Sequence, residues 1–249
     1  MTARHLERVE WAPYPDVDLE GWPFTVPVVR QLIAERGLET PAGVTVLLGE
    51  NGSGKSTLIE AIAAIYPRAG FEASHARMSG PEVLVDDHRD EAPLRWHLKA
   101  RTNPLASPAG FFLRAELLHD YLDRVDRDPR QRRAWGTEPL LDRSHGETFL
   151  EVLRQRFAEP GFYLIDEPEA ALSFTGCLGL IALLGELANA GSQALVATHS
   201  PLVASVPGAT IWELDDEGRH EIAWEDTELV RSWQAFLDEP QRYLRHLSG

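Results

Sequence analysis

The 249 residues predict an α/β fold: a largely parallel sheet, with an antiparallel β subdomain and a short helical subdomain added to it. Three observations carry this expectation. Apolar runs of strand length alternate with segments whose apolar residues recur at helical spacing. A glycine-rich stretch, GENGSGKS at 49–56, lies between one such strand and one such helix. A second apolar strand, FYLI at 162–165, ends in two consecutive acids.

In chain order, residues 5–11 read as a strand. Residues 12–27 hold Pro13, Pro15, Pro23 and Pro27 and should be extended or looped. Val28, Val29, Leu32 and Ile33 have helical spacing, with Gly37 as the stop. Val44 to Leu48 is a short buried strand. The helix from Gly54 to Tyr66 carries Leu58, Ile59, Ile62 and Tyr66 on one face and ends at Pro67. Residues 68–118 change character: VLV at 83–85 and LRWHLKAR at 94–101 read as strands of a half-exposed antiparallel sheet. Residues 117–143 form a charged, short helical subdomain. Phe149, Val152, Leu153 and Phe157 mark a helix ended by EPG at 159–161. After the strand at 162–165 come an apolar helix to Ala190 and a strand at 194–198. Residues 204–249 hold a hairpin and closing helices. One domain over 1–249 accommodates all of it.

Composition narrows the class. The chain has 24 basic and 39 acidic residues, a net charge of −15, which disfavours non-specific binding of nucleic acid over the whole surface. Its one cysteine, Cys177, excludes an internal disulfide framework and fits a reducing compartment. The start, MTARHLERVEW, has no apolar leader segment, and CLGLIALLGELANA is too short to span a bilayer. A cytoplasmic protein without membrane insertion is expected.

Residues 49–56 fit the phosphate-binding pattern G-x-x-x-x-G-K-[ST], Walker A, in its strand-to-helix setting. Glycines allow backbone conformations in which successive N–H groups point into one concavity. That concavity opens at a helix N-terminus, itself partially positive. Gly49, Glu50, Asn51, Gly52, Ser53, Gly54, Lys55, Ser56 and Thr57 are therefore the candidate nucleotide contacts. Lys55 adds a full charge for the β- and γ-phosphates, and Ser56 offers a hydroxyl to Mg²⁺. Asp166 at the end of the 162–165 strand can hold the metal, and Glu167 beside it can orient or deprotonate a water. His199, after the strand 194–198, stands where α/β folds place ligands and can meet the γ-phosphate. Ser200-Pro201 next to it also makes a good helix cap.

In this order the elements resemble the ATP-binding cassette (ABC) class of P-loop ATPases. DEPEAALS looks like that family's Walker B plus D-loop, and THS like its switch-histidine loop. DRSHGETFL at 142–150 resembles the signature sequence: Ser144, Gly146 and Glu147 match, while Arg143 and His145 depart. The resemblance implies ATP hydrolysis with ATP and Mg²⁺, and a homodimer closed on ATP with Ser144 and Gly146 completing the opposite subunit's site. The same nine residues also suit a capping box at a helix start. GFFLRAE at 110–116 sits at the family's Q-loop, with Glu116 in the glutamine's place as a candidate metal contact and Arg114 as an alternative phosphate or signalling contact. Trp22, Phe24 and Tyr14 are alternatives for the adenine-stacking ring. The short 117–143 segment and the lack of sustained heptads make the chain look like a stand-alone, RecF/SMC-like ATPase without a coiled coil.

Three wider purposes compete. A motor for DNA repair, processing or defence, with nucleic acid or a soluble protein as partner, draws on the strand 94–101. There Arg95, His97, Lys99 and Arg101 alternate with Leu94, Trp96, Leu98 and Ala100. The plainer account of that strand is the solvated side of a sheet. The other purposes are the nucleotide-binding subunit of an ABC transporter and a small-molecule kinase.

Overall fold

The computed structural model describes residues 4–15, 17–66, 93–107, 109–127 and 145–245. The expected strand at 83–85, the arginines at 130, 132 and 133, and both Arg143 and Ser144 lie outside the described residues, as do the side chains of His145 and Glu147.

The elements are β1 (Leu6–Trp11), α1 (Pro27–Ala34), β2 (Gly37–Glu39), β3 (Val44–Leu48), α2 (Lys55–Ile65), β4 (Leu98–Thr102), β5 (Gly110–Arg114) and α3 (Leu118–Arg127). After them come α4 (His145–Arg156), β6 (Phe162–Asp166), α5 (Phe174–Asn189), β7 (Gln193–Thr198), β8 (Thr210–Asp215), β9 (Gly218–Glu221), α6 (Glu228–Asp238) and α7 (Pro240–Leu244).

The main sheet has the order β5-β6-β7-β3-β8-β9. Its first five strands run parallel, and β9 folds back antiparallel on β8. β3, with all five side chains buried, lies in the middle. Such strands read as continuous apolar runs because helices cover both faces. On one face Val46, Leu113, Ile165 and Val196 pack with α3, α4 and α5. On the other Leu47, Phe112, Leu164 and Leu195 pack with α1, α2, β1 and β4. Each large side chain so enclosed contributes about 1.5–3 kcal/mol by burial. Cys177 is one of the buried residues of the first face, where it serves as a small core residue. Among the described residues no helix is long and apolar enough to cross a membrane.

The antiparallel sheet is three-stranded, β2-β1-β4. Its make-up corrects the expectation for 68–118. Residues 110–114 do not belong to the addition; they form the edge strand of the parallel sheet, paired with β6. The second and third strands of the addition come instead from the N-terminal forty residues. The expected strand 94–101 is also shorter. Pro93–His97 is a 3₁₀ turn, and pairing starts at Leu98. The proline that opens this stretch suits a turn better than a ladder position.

α1 stops at Ala34, three residues ahead of the expected stop at Gly37, which instead begins β2. Arg36 and Gly37 take φ of 55° and 138°. A Cβ on Gly37 would stand 2.4 Å from Val9 O, so only glycine fits against β1 there.

Candidate functional site

The site lies at the carboxyl ends of β3, β5, β6 and β7, which the parallel topology brings to one edge. β3 feeds directly into the glycine loop. Gly52 and Gly54 hold φ of 87° and 95°, the left-handed region. At Gly54 a Cβ would stand 2.5 Å from Val26 Cγ1, and at Gly49 one would stand 2.6 Å from Leu214 O. The loop is thus shaped by glycines that cannot carry a side chain, and α2 begins immediately after it, its N-terminus open to an anion. Ser53 Oγ is buried in the loop and has no hydrogen-bond partner among the described residues.

Lys55 is 3% exposed. Its Nζ donates to Gly49 O at 2.7 Å and Glu50 O at 2.8 Å. Burial lowers its pKa, opposed by the charges of Glu167, Asp166, Glu169 and Glu50. The ammonium is therefore held among neutral carbonyls and facing acids, where a polyphosphate would stabilise it.

One helical position on, Ser56 Oγ stands 3.4 Å from Asp166 Oδ1, bringing together residues 110 apart in sequence. Asp166 is buried. Burial pushes its carboxyl up to about 6, against the pull of Arg114 and with the added effect of the Glu167 and Glu60 charges. Two hard oxygen donors within reach of each other, beside a phosphate cradle, suit magnesium, which commonly takes one or two protein ligands and fills its shell with phosphates and water. Among the described residues no group of three or more His, Cys, Asp or Glu side chains forms a metal cage.

Glu167 follows at the N-cap of the 3₁₀ turn Pro168–Ala171, with φ of 49°. Its N–H donates to Ala197 O at 2.9 Å, tying the end of β6 to β7. This left-handed residue is costly for a non-glycine, and it turns the chain out of the sheet as the strand ends. His199 comes from the neighbouring strand end, with Nδ1 3.8 Å from Glu167 Oε1.

Glu169 went unrecognised in the sequence. Its Oε1 accepts from Thr198 Oγ1 at 2.6 Å and from the His199 N–H at 2.7 Å, and lies 3.2 Å from His199 Nδ1. It therefore sets both the backbone and the ring of the histidine. The repeated acid in DEPE was the available signal, but an acid three residues past a strand has many ordinary uses.

The three aromatic alternatives separate clearly. Phe24 is a core residue. Tyr14 sits edge-on to His97. Trp22 is 62% exposed and lines a cavity of about 440 Å³ together with Gly52, Lys55, Ser56, Thr57 and Glu167. On the other flank of the loop a groove of about 570 Å³ is lined by Glu213, Asp215, Asp216, Glu217 and Glu228. Those acids repel an anion, so the Trp22 side is the one a nucleotide can use.

Not every expected residue joins the site. Glu116 is exposed on the turn after β5, and Arg114 reaches Asp166 instead. Gly146, at the start of α4, lies against Ala171 and Leu172, in the turn that follows Glu167.

Comparison with known proteins agrees with this geometry. A family model described as an AAA domain matches residues 30–66. The chain is 31% identical over 183 residues to the cytochrome c biogenesis ATP-binding export protein CcmA of Rhodospirillum rubrum, covering 70% of this chain and 75% of that protein. It is 25% identical over 169 residues to the xylose import ATP-binding protein XylG of Moorella thermoacetica, covering 63% of this chain but only 34% of that protein. The chain thus spans about a third of the length of one of these relatives and three quarters of the other. Among solved structures, an inward-facing ABC transporter of metal-chelate type superposes with a TM-score of 0.52 at 14% identity, over 96% of this chain and 90% of that one, a likeness of fold.

Proposed function

Because the chain belongs to the ATP-binding cassette class of P-loop ATPases, we propose that its catalytic cycle runs on the residues gathered at the ends of β3, β6 and β7. The observation that carries this reading is the approach of Ser56 Oγ to Asp166 Oδ1 beside the buried Lys55.

The loop N–H groups and Lys55 bind the phosphates of ATP, and Trp22 stacks on the adenine. Lys55 exchanges its two carbonyl partners for phosphate oxygens, gaining full charge complementarity. Ser56 and Asp166 would hold magnesium. When bound, magnesium supplies charge neutralisation at the phosphate oxygens. Glu167 orients a water and takes its proton. His199, aligned by Glu169, contacts the γ-phosphate. Two copies close face to face on ATP, the segment of Ser144, Gly146 and Glu147 from each facing the other's glycine loop.

The work this cycle drives is a separate matter. The printed names of the relatives, one in export for cytochrome c biogenesis and one in xylose import, favour a chain that powers a separate membrane partner. A soluble motor acting on nucleic acid is the second reading. It draws on the positive residues of β4, and Arg101 there lies within 3.7 Å of three glutamates. Co-purification from the native host separates the two: a membrane protein supports the first, and salt-sensitive DNA binding the second.

The test of the chemistry is Glu167→Gln. ATP binding by calorimetry should persist, while phosphate release falls about 10²–10⁴-fold and a dimer accumulates on size exclusion with ATP and Mg²⁺. Turnover at the parent rate would remove Glu167 from the role.

A further inference from the structure

β5 and β6 pair in register, so Arg114 stands directly beside Asp166 at the ends of the two strands. Arg114 Nε lies 3.6 Å from Asp166 Oδ2, and Nη1 lies 2.9 Å from Glu60 Oε1. Glu60 follows Ser56 by one turn of α2, so both project from the same helix face toward these strand ends. The four side chains form one linked set. One Asp166 oxygen faces the Ser56 hydroxyl, the other faces a guanidinium, and that guanidinium has its closer partner in Glu60.

Arginine stays charged in proteins. A dication on Asp166 would share the carboxylate with a cation a few ångströms away, and at such distances a unit charge matters even in a partly solvated site. A polyphosphate in the glycine loop brings several negative charges to the same corner and offsets that repulsion. Glu60 gives Arg114 a place to remain when Asp166 turns to another cation.

We infer that Arg114 is a positioning residue that makes Asp166 a conditional metal ligand, one that binds a dication well only once nucleotide is in place. Glu60 is the counter-ion that holds Arg114 during that exchange. The inference rests on the reading of Asp166 as the magnesium carboxylate. It orders the cycle, since metal without nucleotide is turned away and metal with nucleotide is taken.

The experiment measures Mn²⁺ binding through loss of the free-ion paramagnetic resonance signal. Asp166→Asn serves as the background for cations held elsewhere on this acidic chain. In nucleotide-free protein, Arg114→Met should raise the Asp166-dependent Mn²⁺ affinity at least about tenfold, and a non-hydrolysable ATP analogue should narrow that gap. Folded Arg114→Met with unchanged or weaker Mn²⁺ affinity overturns the inference while leaving the ATPase reading intact. If that variant does not fold, Glu60→Gln decides. With Arg114 left to Asp166 alone, Mn²⁺ affinity should fall about threefold or more; an unchanged or higher value overturns the inference. No Asp166-dependent Mn²⁺ binding in the parent protein even with the analogue would overturn the metal reading of Asp166 and this inference together.

Discussion

The glycine loop and strand β4 each carry cations that a phosphate would welcome, and the two regions use them in opposite ways. Lys55 gives its protons to two main-chain carbonyls, Gly49 O and Glu50 O. Those partners carry no net charge, so giving them up for phosphate oxygens would leave no buried charge unpaired. On β4, Arg101 lies 3.5 Å from Glu7, 3.7 Å from Glu10 and 3.6 Å from Glu39. Arg8 shares Glu39 at 2.8 Å. These acids come from β1 and β2, the strands that complete the antiparallel sheet, so Arg101 already faces its own counter-ions. A positive side chain supports anion binding only when its partners in the fold can be given up.

Breaking the loop side of this contrast should have the largest effect. Lys55→Met keeps the stem and removes the charge, and ATP affinity should fall about a hundredfold, near 2.7 kcal/mol, by calorimetry. Retained affinity would mean that the backbone amides suffice and the ammonium is incidental.

Asp166 sharpens the contrast, because it is buried where the acids on β1 and β2 are exposed or only partly covered. Its pKa in the folded chain, about 6, lies above the ordinary 3.8. The folded state therefore binds the proton more tightly between these values. This group's contribution to stability is most favourable below the lower value, declines as pH rises, and is least favourable above the upper one. Asp166→Asn should stabilise the protein in chelator by about 1–3 kcal/mol near pH 8. The gain should vanish as pH falls toward 4, followed by denaturant unfolding at each pH. A variant less stable at the higher pH would show that the Ser56 and Arg114 contacts outweigh the desolvation of the carboxylate.

The smallest effect belongs to β4. Arg101→Ala should change stability by less than about 1 kcal/mol, because exposed ion pairs contribute little. It should leave ATP affinity untouched. A marked, salt-dependent loss of DNA binding in this variant would reopen the nucleic-acid reading.

The elements of the parallel core were largely legible before folding. β3, β6 and β7 are short apolar runs bounded by turn residues, and α2 and α5 have clear helical spacing. β5 was misplaced because a strand does not reveal its pairing partner. GFFLR reads equally well as the edge of either sheet, and contact with β6 across some fifty residues decides. The first half of LRWHLKAR alternates as a strand should, yet Pro93 opens a 3₁₀ turn there that leaves Leu94 buried and Trp96 half exposed.

What this sequence determined by itself was local chemistry. A run of glycines ending in Lys55 and Ser56, and an apolar strand ending in Asp166 and Glu167, each state a conformation and a charge within a few residues. The folded structure decided the neighbours: Arg114 beside Asp166, Glu169 beneath His199, Trp22 over the loop, and three acids around Arg101. Such contacts depend on strand order and register, which arise from packing the whole apolar core and are written in no single segment.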